Sequence, residues 1–238
     1  MRLSDFTVLT FDCYGTLIDW EAGIAAALRP LVARGGSERP RDEVLASFAR
    51  HESAQEAETP GMVYADLLAR VHGRIAAEWG IAATEAEHRA FARSIADWPA
   101  FPDTPGALAY LKRFFKLVIL SNVDRAGIAA SIPRLGVAFD AVYTAEEIGS
   151  YKPDPRNFRH LIAALGRQGH APGDILHVAQ SLYHDHVPAN ACGLASAWID
   201  RRQGRGGGAT PAAPPGVRWD FRFASLAELA DAHRAEHG

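Results

Sequence analysis

The chain has 238 residues, 48% hydrophobic and 22% charged, and its 25 Lys and Arg against 28 Asp and Glu give a formal net charge of −3. That length allows one large domain or a core with a smaller companion, and the balanced charge excludes a chain built as a whole to grip nucleic acid or an anionic membrane. No apolar run approaches the ~18 residues of a membrane span, and two cysteines, Cys13 and Cys192, make neither a disulfide framework nor a metal knuckle.

The first element in chain order is Thr7–Phe11, a run of β-formers that ends in Asp12 and turns at Tyr14, Gly15 and Thr16. It is too short, and too soon followed by a charge, for a secretory signal, so a cytoplasmic, reducing setting is expected. From Glu21 to Trp98 the pattern is helical throughout. Tyr64, Leu67, Val71, Ile75 and Trp79 recur at three- and four-residue spacing before a Gly80 stop, and Thr84 with Glu87 opens another helix. Four further apolar runs read as buried strands: Lys116–Leu120, Ala141–Thr144, Ile175–Ala179 and Ala195–Ile199. Thr104-Pro105 and Asp154-Pro155 give N-caps with proline at the first helical position, and Ser225 with Glu228 opens the last helix. The glycine- and proline-rich stretch Gln203–Gly216 reads as a surface loop.

Strand and helix alternate outside the helical stretch, which specifies an α/β fold with a doubly wound parallel sheet and a helical insertion after the first strand. Such a sheet binds its ligand outside the carboxyl ends of its strands. The polar residues that follow the strand runs are Asp12, then Ser121 and Asn122, then Lys152 after a short loop, and Asp185 beyond Ala179.

In that order, the stretches DCYGT (from Asp12), LSNVDR (from Leu120), YKPDP (from Tyr151) and SLYHD (ending at Asp185) resemble the four motifs of the haloacid dehalogenase superfamily of hydrolases. The resemblance covers nearly the full chain. It implies a Rossmann-like core over residues 1–18 and 99–238, an all-helical cap over residues 19–98, and Asp12 as nucleophile. It also makes Lys152 the partner of Asp12. Burial at a strand end pushes a carboxyl pKa up, and an ammonium at about 4 Å, worth ~4 kcal/mol at an effective dielectric near 20, is expected to reverse that push.

Tyr14 separates subclasses within the superfamily. Its phosphatases carry a second aspartate at that position, as general acid and magnesium neighbour, and an acidic residue where this chain has Gln180. Tyrosine there resembles the 2-haloacid dehalogenases, which need no metal because a halide leaves without a proton. The resemblance therefore implies hydrolytic dehalogenation of short 2-haloalkanoic acids to 2-hydroxy acids through an aspartyl ester. No cofactor or metal is expected, and the partner is a small anionic 2-halocarboxylate, with a homodimer as the family-level expectation. A magnesium-dependent phosphatase and a non-catalytic member that binds an anion or a protein are the alternatives.

By the same resemblance Asp12, Lys152, Asp185 and Ser121 are the catalytic set. Tyr14, Thr16, Asn122, Ser181, His184 and, from the cap, Arg50 contact the substrate or the departing halide. His184 is either a base for the hydrolytic water or a hydrogen-bonded loop histidine. The family's dehalogenases have a tyrosine six residues after the lysine; here that place is Phe158, on a helical stripe with Leu161 and Leu165 that reads as core.

Overall fold

The computed structural model describes residues 1–36, 38–204 and 214–237. Six parallel strands form one sheet: β1 (Val8–Phe11), β2 (Lys116–Ser121), β3 (Ala141–Thr144), β4 (Ile175–Ala179), β5 (Ala195–Ile199) and β6 (Phe221–Phe223), in the order β3-β2-β1-β4-β5-β6. The order reverses between β1 and β4, so a crevice opens outside their carboxyl ends. Both strands are buried along their whole length, which is why they read as unbroken apolar runs.

Between β1 and β2 come four helices, α1 (Trp20–Arg34), α2 (Arg41–Glu58), α3 (Tyr64–Glu78) and α4 (Glu85–Arg93), followed by α5 (Thr104–Leu111) against the sheet. The remaining helices are α6 (Arg125–Leu135), α7 (Ala145–Ile148), α8 (Pro155–Gly166), α9 (Val187–Ala191) and α10 (Leu226–His237). Among the described residues, no helix is long and apolar enough to cross a membrane.

The helical insertion has its own apolar interior, with Leu28, Leu45, Phe48, Leu67, Val71 and Ile75 fully buried. Burying such side chains stabilises by about 1.5–3 kcal/mol each. Thr84 and Glu87 form the expected reciprocal cap on α4, and Gly80 ends the α3 region with φ +67°. The α5 cap differs from expectation. Asp103, not Thr104, is the N-cap residue, and its carboxylate is drawn away to Arg201 Nη1 and to the backbone of Leu226. Strand β6 adds a sixth strand to the five that the apolar runs predict, and residues 205–213 of the expected surface loop lie outside the described residues.

Trp98 is the joint between the insertion and the sheet. It is 1% exposed and meets the ring of Tyr14 edge-on at 5.7 Å. Gly23 of α1 sits against it so closely that a Cβ there would lie 2.3 Å from Trp98 Cγ and Cδ1. Gly23→Ala is therefore expected to cost about 1–3 kcal/mol, through overpacking of a joint that cannot give way without moving Tyr14. Urea denaturation of the two proteins checks this, and equal midpoints would contradict it.

Candidate active site

Asp12 leaves β1 with its backbone N–H still in the ladder, donating to Val178 O at 3.1 Å. The chain then folds back in one tight turn, in which the N–H groups of Leu17 and Ile18 both donate to Cys13 O. Gly15 holds φ +95° there, and a Cβ would sit 3.1 Å from Trp20 Nε1 and 3.2 Å from Gln180 Oε1, so glycine suits both the conformation and the space. The turn brings Thr16 under Asp12. The Thr16 hydroxyl donates to Asp12 Oδ2 at 2.7 Å while accepting from Gln180 N at 2.9 Å.

Lys152 is 1% exposed and uses all three ammonium protons: Asp12 Oδ1 at 2.9 Å, Asp185 Oδ1 at 2.6 Å and Leu120 O at 3.0 Å. Its backbone is held by Asn122, whose Oδ1 accepts from Lys152 N at 2.6 Å and whose Nδ2 donates to Lys152 O at 3.0 Å. Asn122, expected to meet nucleophile or halide, lines the same cavity as Asp12; its Oδ1 and one Nδ2 proton brace the lysine backbone, and its second Nδ2 proton is not used there. Asp185 Oδ1 also meets His177 Nε2 at 3.0 Å, and His177 Nδ1 lies 2.8 Å from Thr10 Oγ1. Thr10, His177, Asp185, Lys152 and Asp12 thus form one buried polar chain from inside the sheet to its edge.

The electrostatics differ from expectation in one respect. Burial pushes the Asp12 carboxyl above its ordinary value, and the Lys152 ammonium and Thr16 hydroxyl offset that push without reversing it, because Asp185 stands close by. For Asp185 the balance goes the other way: burial is outweighed by Lys152 and His177, and its carboxyl is held below the ordinary range. Lys152 is raised, since its two carboxylates outweigh its own burial.

Tyr14 lines the cavity above Asp12, but its hydroxyl is engaged away from it, donating to Gly127 O at 3.2 Å and lying 2.8 Å from Ser131 Oγ. Burial raises the phenol well above its usual value. Ser121, at the end of β2, is 2% exposed, and among the described residues its hydroxyl has no hydrogen-bond partner. Ser181 accepts the N–H of His184 at 3.0 Å and lies 3.2 Å from its Nδ1; burial lowers His184 to about 4, so it is neutral. Arg50 is not brought to the site: its side chain is 60% exposed on the outer face of α2 and pairs with Glu78 at 2.7 Å. Phe158 is fully buried, its ring edge-on to His177 at 4.9 Å.

The cavity itself is small, about 50 Å³, and sequence reasoning missed part of its wall. Glu52 and Glu56 of α2 and Tyr64 of α3 line it from the insertion. The signal lay in the stripe of α2: Val44, Leu45, Phe48, Glu52 and Gln55 share one buried face, so two polar residues occupy positions that periodicity assigns to the core. An outer cleft of about 240 Å³ shares Glu56, Lys152 and His184 with this cavity.

A magnesium ion, which the phosphatases of the fold hold at this crevice, does not fit the residues present. Among the described residues, Asp12 and Asp185 each give an oxygen to the same ammonium, Thr16 donates to the second oxygen of Asp12, and the positions where such phosphatases carry further acids are Tyr14 and Gln180. Among the described residues, no three His, Cys, Asp or Glu side chains are placed to share an ion.

Residues 6–181 match the family model described as haloacid dehalogenase-like hydrolase. The chain belongs to that family. It is 39% identical over 87 residues to mouse haloacid dehalogenase-like hydrolase domain-containing protein 3, an alignment that takes in 36% of this chain and spans 33% of that protein's length. Among solved structures it is similar to the L-2-haloacid dehalogenase PA0810, with a TM-score of 0.77, 24% identity and coverage of 97% of this chain and 99% of that one. It is likewise similar to the defluorinating L-2-haloacid dehalogenase Rha0230, with a TM-score of 0.77, 25% identity and coverage of 98% and 99%.

Proposed function

We propose that this hydrolase cleaves the carbon–halogen bond of short 2-haloalkanoic acids, with residues 19–98 acting as the cap over the site. One observation carries the reading: Asp12 is aimed into a small cavity and bonded to Lys152, while the position of a leaving-group acid is filled by a tyrosine whose hydroxyl is committed elsewhere. A core loop that offers no free acid at that position suits a leaving group that departs as a stable anion.

In this reading an Asp12 oxygen attacks C2 of the substrate, and the C–X bond breaks with its electron pair leaving on the halide. Water then adds to the acyl carbon of Asp12, the acyl C–O bond breaks, and the 2-hydroxy acid departs carrying the oxygen that Asp12 supplied. One halide and one proton are released in all, and the carboxylate is regenerated. Lys152 balances the charge of Asp12 through both steps, and Asp185 and Asn122 keep the ammonium in place. Ser121 offers its unpartnered hydroxyl to the substrate.

Incubation with 2-chloropropionate, and separately with p-nitrophenyl phosphate, each with and without EDTA, tests this. The expected result is halide release that EDTA leaves unchanged. Phosphate release abolished by EDTA, without halide release, would overturn it in favour of a magnesium-dependent phosphatase.

A further inference from the structure

The wall of the cavity that faces Asp12 is acidic. Glu52 and Glu56, one helical turn apart on α2, line the same space as Asp12, Ser121 and Lys152. Glu52 is 7% exposed and, among the described residues, makes a single hydrogen bond, accepting the Tyr64 hydroxyl at Oε1 at 2.6 Å. Glu56 has no hydrogen-bond or ion-pair partner among the described residues. In a family of anion-handling hydrolases, two such acids over a nucleophilic carboxylate call for a physical account.

Several charged or titratable groups stand near the pair. Asp12 follows β1, Lys152 and Tyr151 follow α7, His184 and Asp185 follow β4, and Tyr64 and Asp124 sit at the starts of α3 and α6. One ammonium already serves two carboxylates there, so a third and fourth negative charge in the same small volume are strongly disfavoured. Burial accordingly pushes Glu52 up to about 7 and Glu56 well above the carboxylate range, the charge of Glu52 adding to the second shift and Lys152 opposing it. Glu56 is then an O–H donor at neutral pH, and Glu52 is one below about pH 7. Because the Tyr64 proton is directed at Oε1, the proton of Glu52 belongs on Oε2, where the structure supplies no acceptor. The Ser121 hydroxyl is buried with no partner either. Three O–H groups with no protein acceptor among the described residues therefore face one cavity; the Ser121 hydroxyl is closed off from solvent and Glu56 is half-buried, opening also on the outer cleft, and a ligand rich in acceptors would complete all three.

We propose that Glu52 and Glu56 donate their carboxyl protons, together with the Ser121 hydroxyl, to the carboxylate of the substrate seated over Asp12, and that this cradle sets specificity for a short acid. The proposal rests on the dehalogenation reading for the identity of the acid. Hydrogen bonds from a carboxyl O–H to a carboxylate are short and strong, at about 2.5–2.7 Å. Arg50, the cap residue expected to receive the halide, faces outward and has no part in this cradle. The cradle explains how an anion binds beside Asp12 with no arginine in the cavity wall.

Charge linkage gives the test. Binding an anion to protonated acids raises their pKa further, so binding takes up protons wherever Glu52 is ionised in the ligand-free protein. Lactate, a 2-hydroxy acid of the product class, is titrated into the full chain by calorimetry in buffers of different ionisation enthalpy. At about pH 8 the expected uptake approaches one proton per lactate bound, and Kd weakens about tenfold for each pH unit above 7. Glu52→Gln keeps a donor without a titrating proton. It is expected to leave binding near pH 6 within a few-fold of the native value and to remove most of the uptake.

Proton release on binding, as a cationic ligand would cause, overturns the cradle. So does a Kd that is flat from pH 6 to 9 in the native chain, or no lactate binding at millimolar concentration at pH 6. Halide release is measured separately: release without proton uptake removes the cradle and leaves the dehalogenation reading, whereas uptake without release does the reverse.

Discussion

Lys152→Met is expected to abolish turnover and to destabilise the fold by about 3–5 kcal/mol at neutral pH, the usual cost of removing one partner from a buried charge network. The lysine is 1% exposed, and its Nζ lies between Asp12 Oδ1 at 2.9 Å and Asp185 Oδ1 at 2.6 Å. Without it two carboxylates face each other in a dry pocket, and Leu120 O loses its side-chain donor. Asp185 retains His177, so Asp12 is the group that protonates and stops being a nucleophile. The sign with pH follows. In the variant the folded-state carboxyl pKa is raised above its unfolded value near 3.8, so stability is present at low pH and is lost as pH rises through the folded value. The deficit against the native protein should therefore shrink toward pH 4. Urea denaturation at pH 4 and pH 7 checks this; a constant deficit would contradict it.

Asp12→Asn should do the opposite: lose activity by at least about 10⁴-fold, in keeping with removal of a nucleophile, while leaving the fold intact. The amide oxygen still accepts from Lys152 Nζ and the amide nitrogen, in place of Oδ2, donates to the Thr16 hydroxyl, whose own proton loses its acceptor at a cost of about 1–3 kcal/mol, while Lys152 keeps Asp185 as counter-charge. Halide release and thermal melting of the same preparation check both halves. Native-level halide release from the asparagine protein would remove Asp12 from the chemistry.

Much of this site was legible because alternation of strand and helix allows few topologies. Once β1, β2, β3 and β4 are recognised as parallel, the residues that follow them must meet at one edge, and Asp12, Ser121, Lys152 and Asp185 do. What escaped was decided by side-chain direction. Arg50 lies between Phe48 and Glu52 on α2 and points outward, whereas Glu52, which on a helix reads as a solvated residue, points in. Asn122 carries a polar amide at a strand end, and nothing in one dimension separates binding a ligand from bracing the lysine backbone. His177 sits in the apolar run of β4, where its position gives no sign that it supports Asp185 from below. Strand β6 has three residues, too few for an alternation to register. The pKa of Asp12 escaped for a different reason: pairwise attraction to Lys152 is easily anticipated, whereas desolvation and the nearness of Asp185 depend on the packed structure.

The central claim is that an oxygen of Asp12 ends up in the product. A single turnover with enzyme in excess over 2-chloropropionate, run in ¹⁸O-labelled water, tests it directly by mass spectrometry of both product and protein. The account predicts unlabelled lactate and a gain of about 2 Da on the peptide that contains Asp12, because water attacks the acyl carbon of the ester. Labelled lactate with an unlabelled Asp12 peptide would contradict it, since water would then have displaced the halide itself.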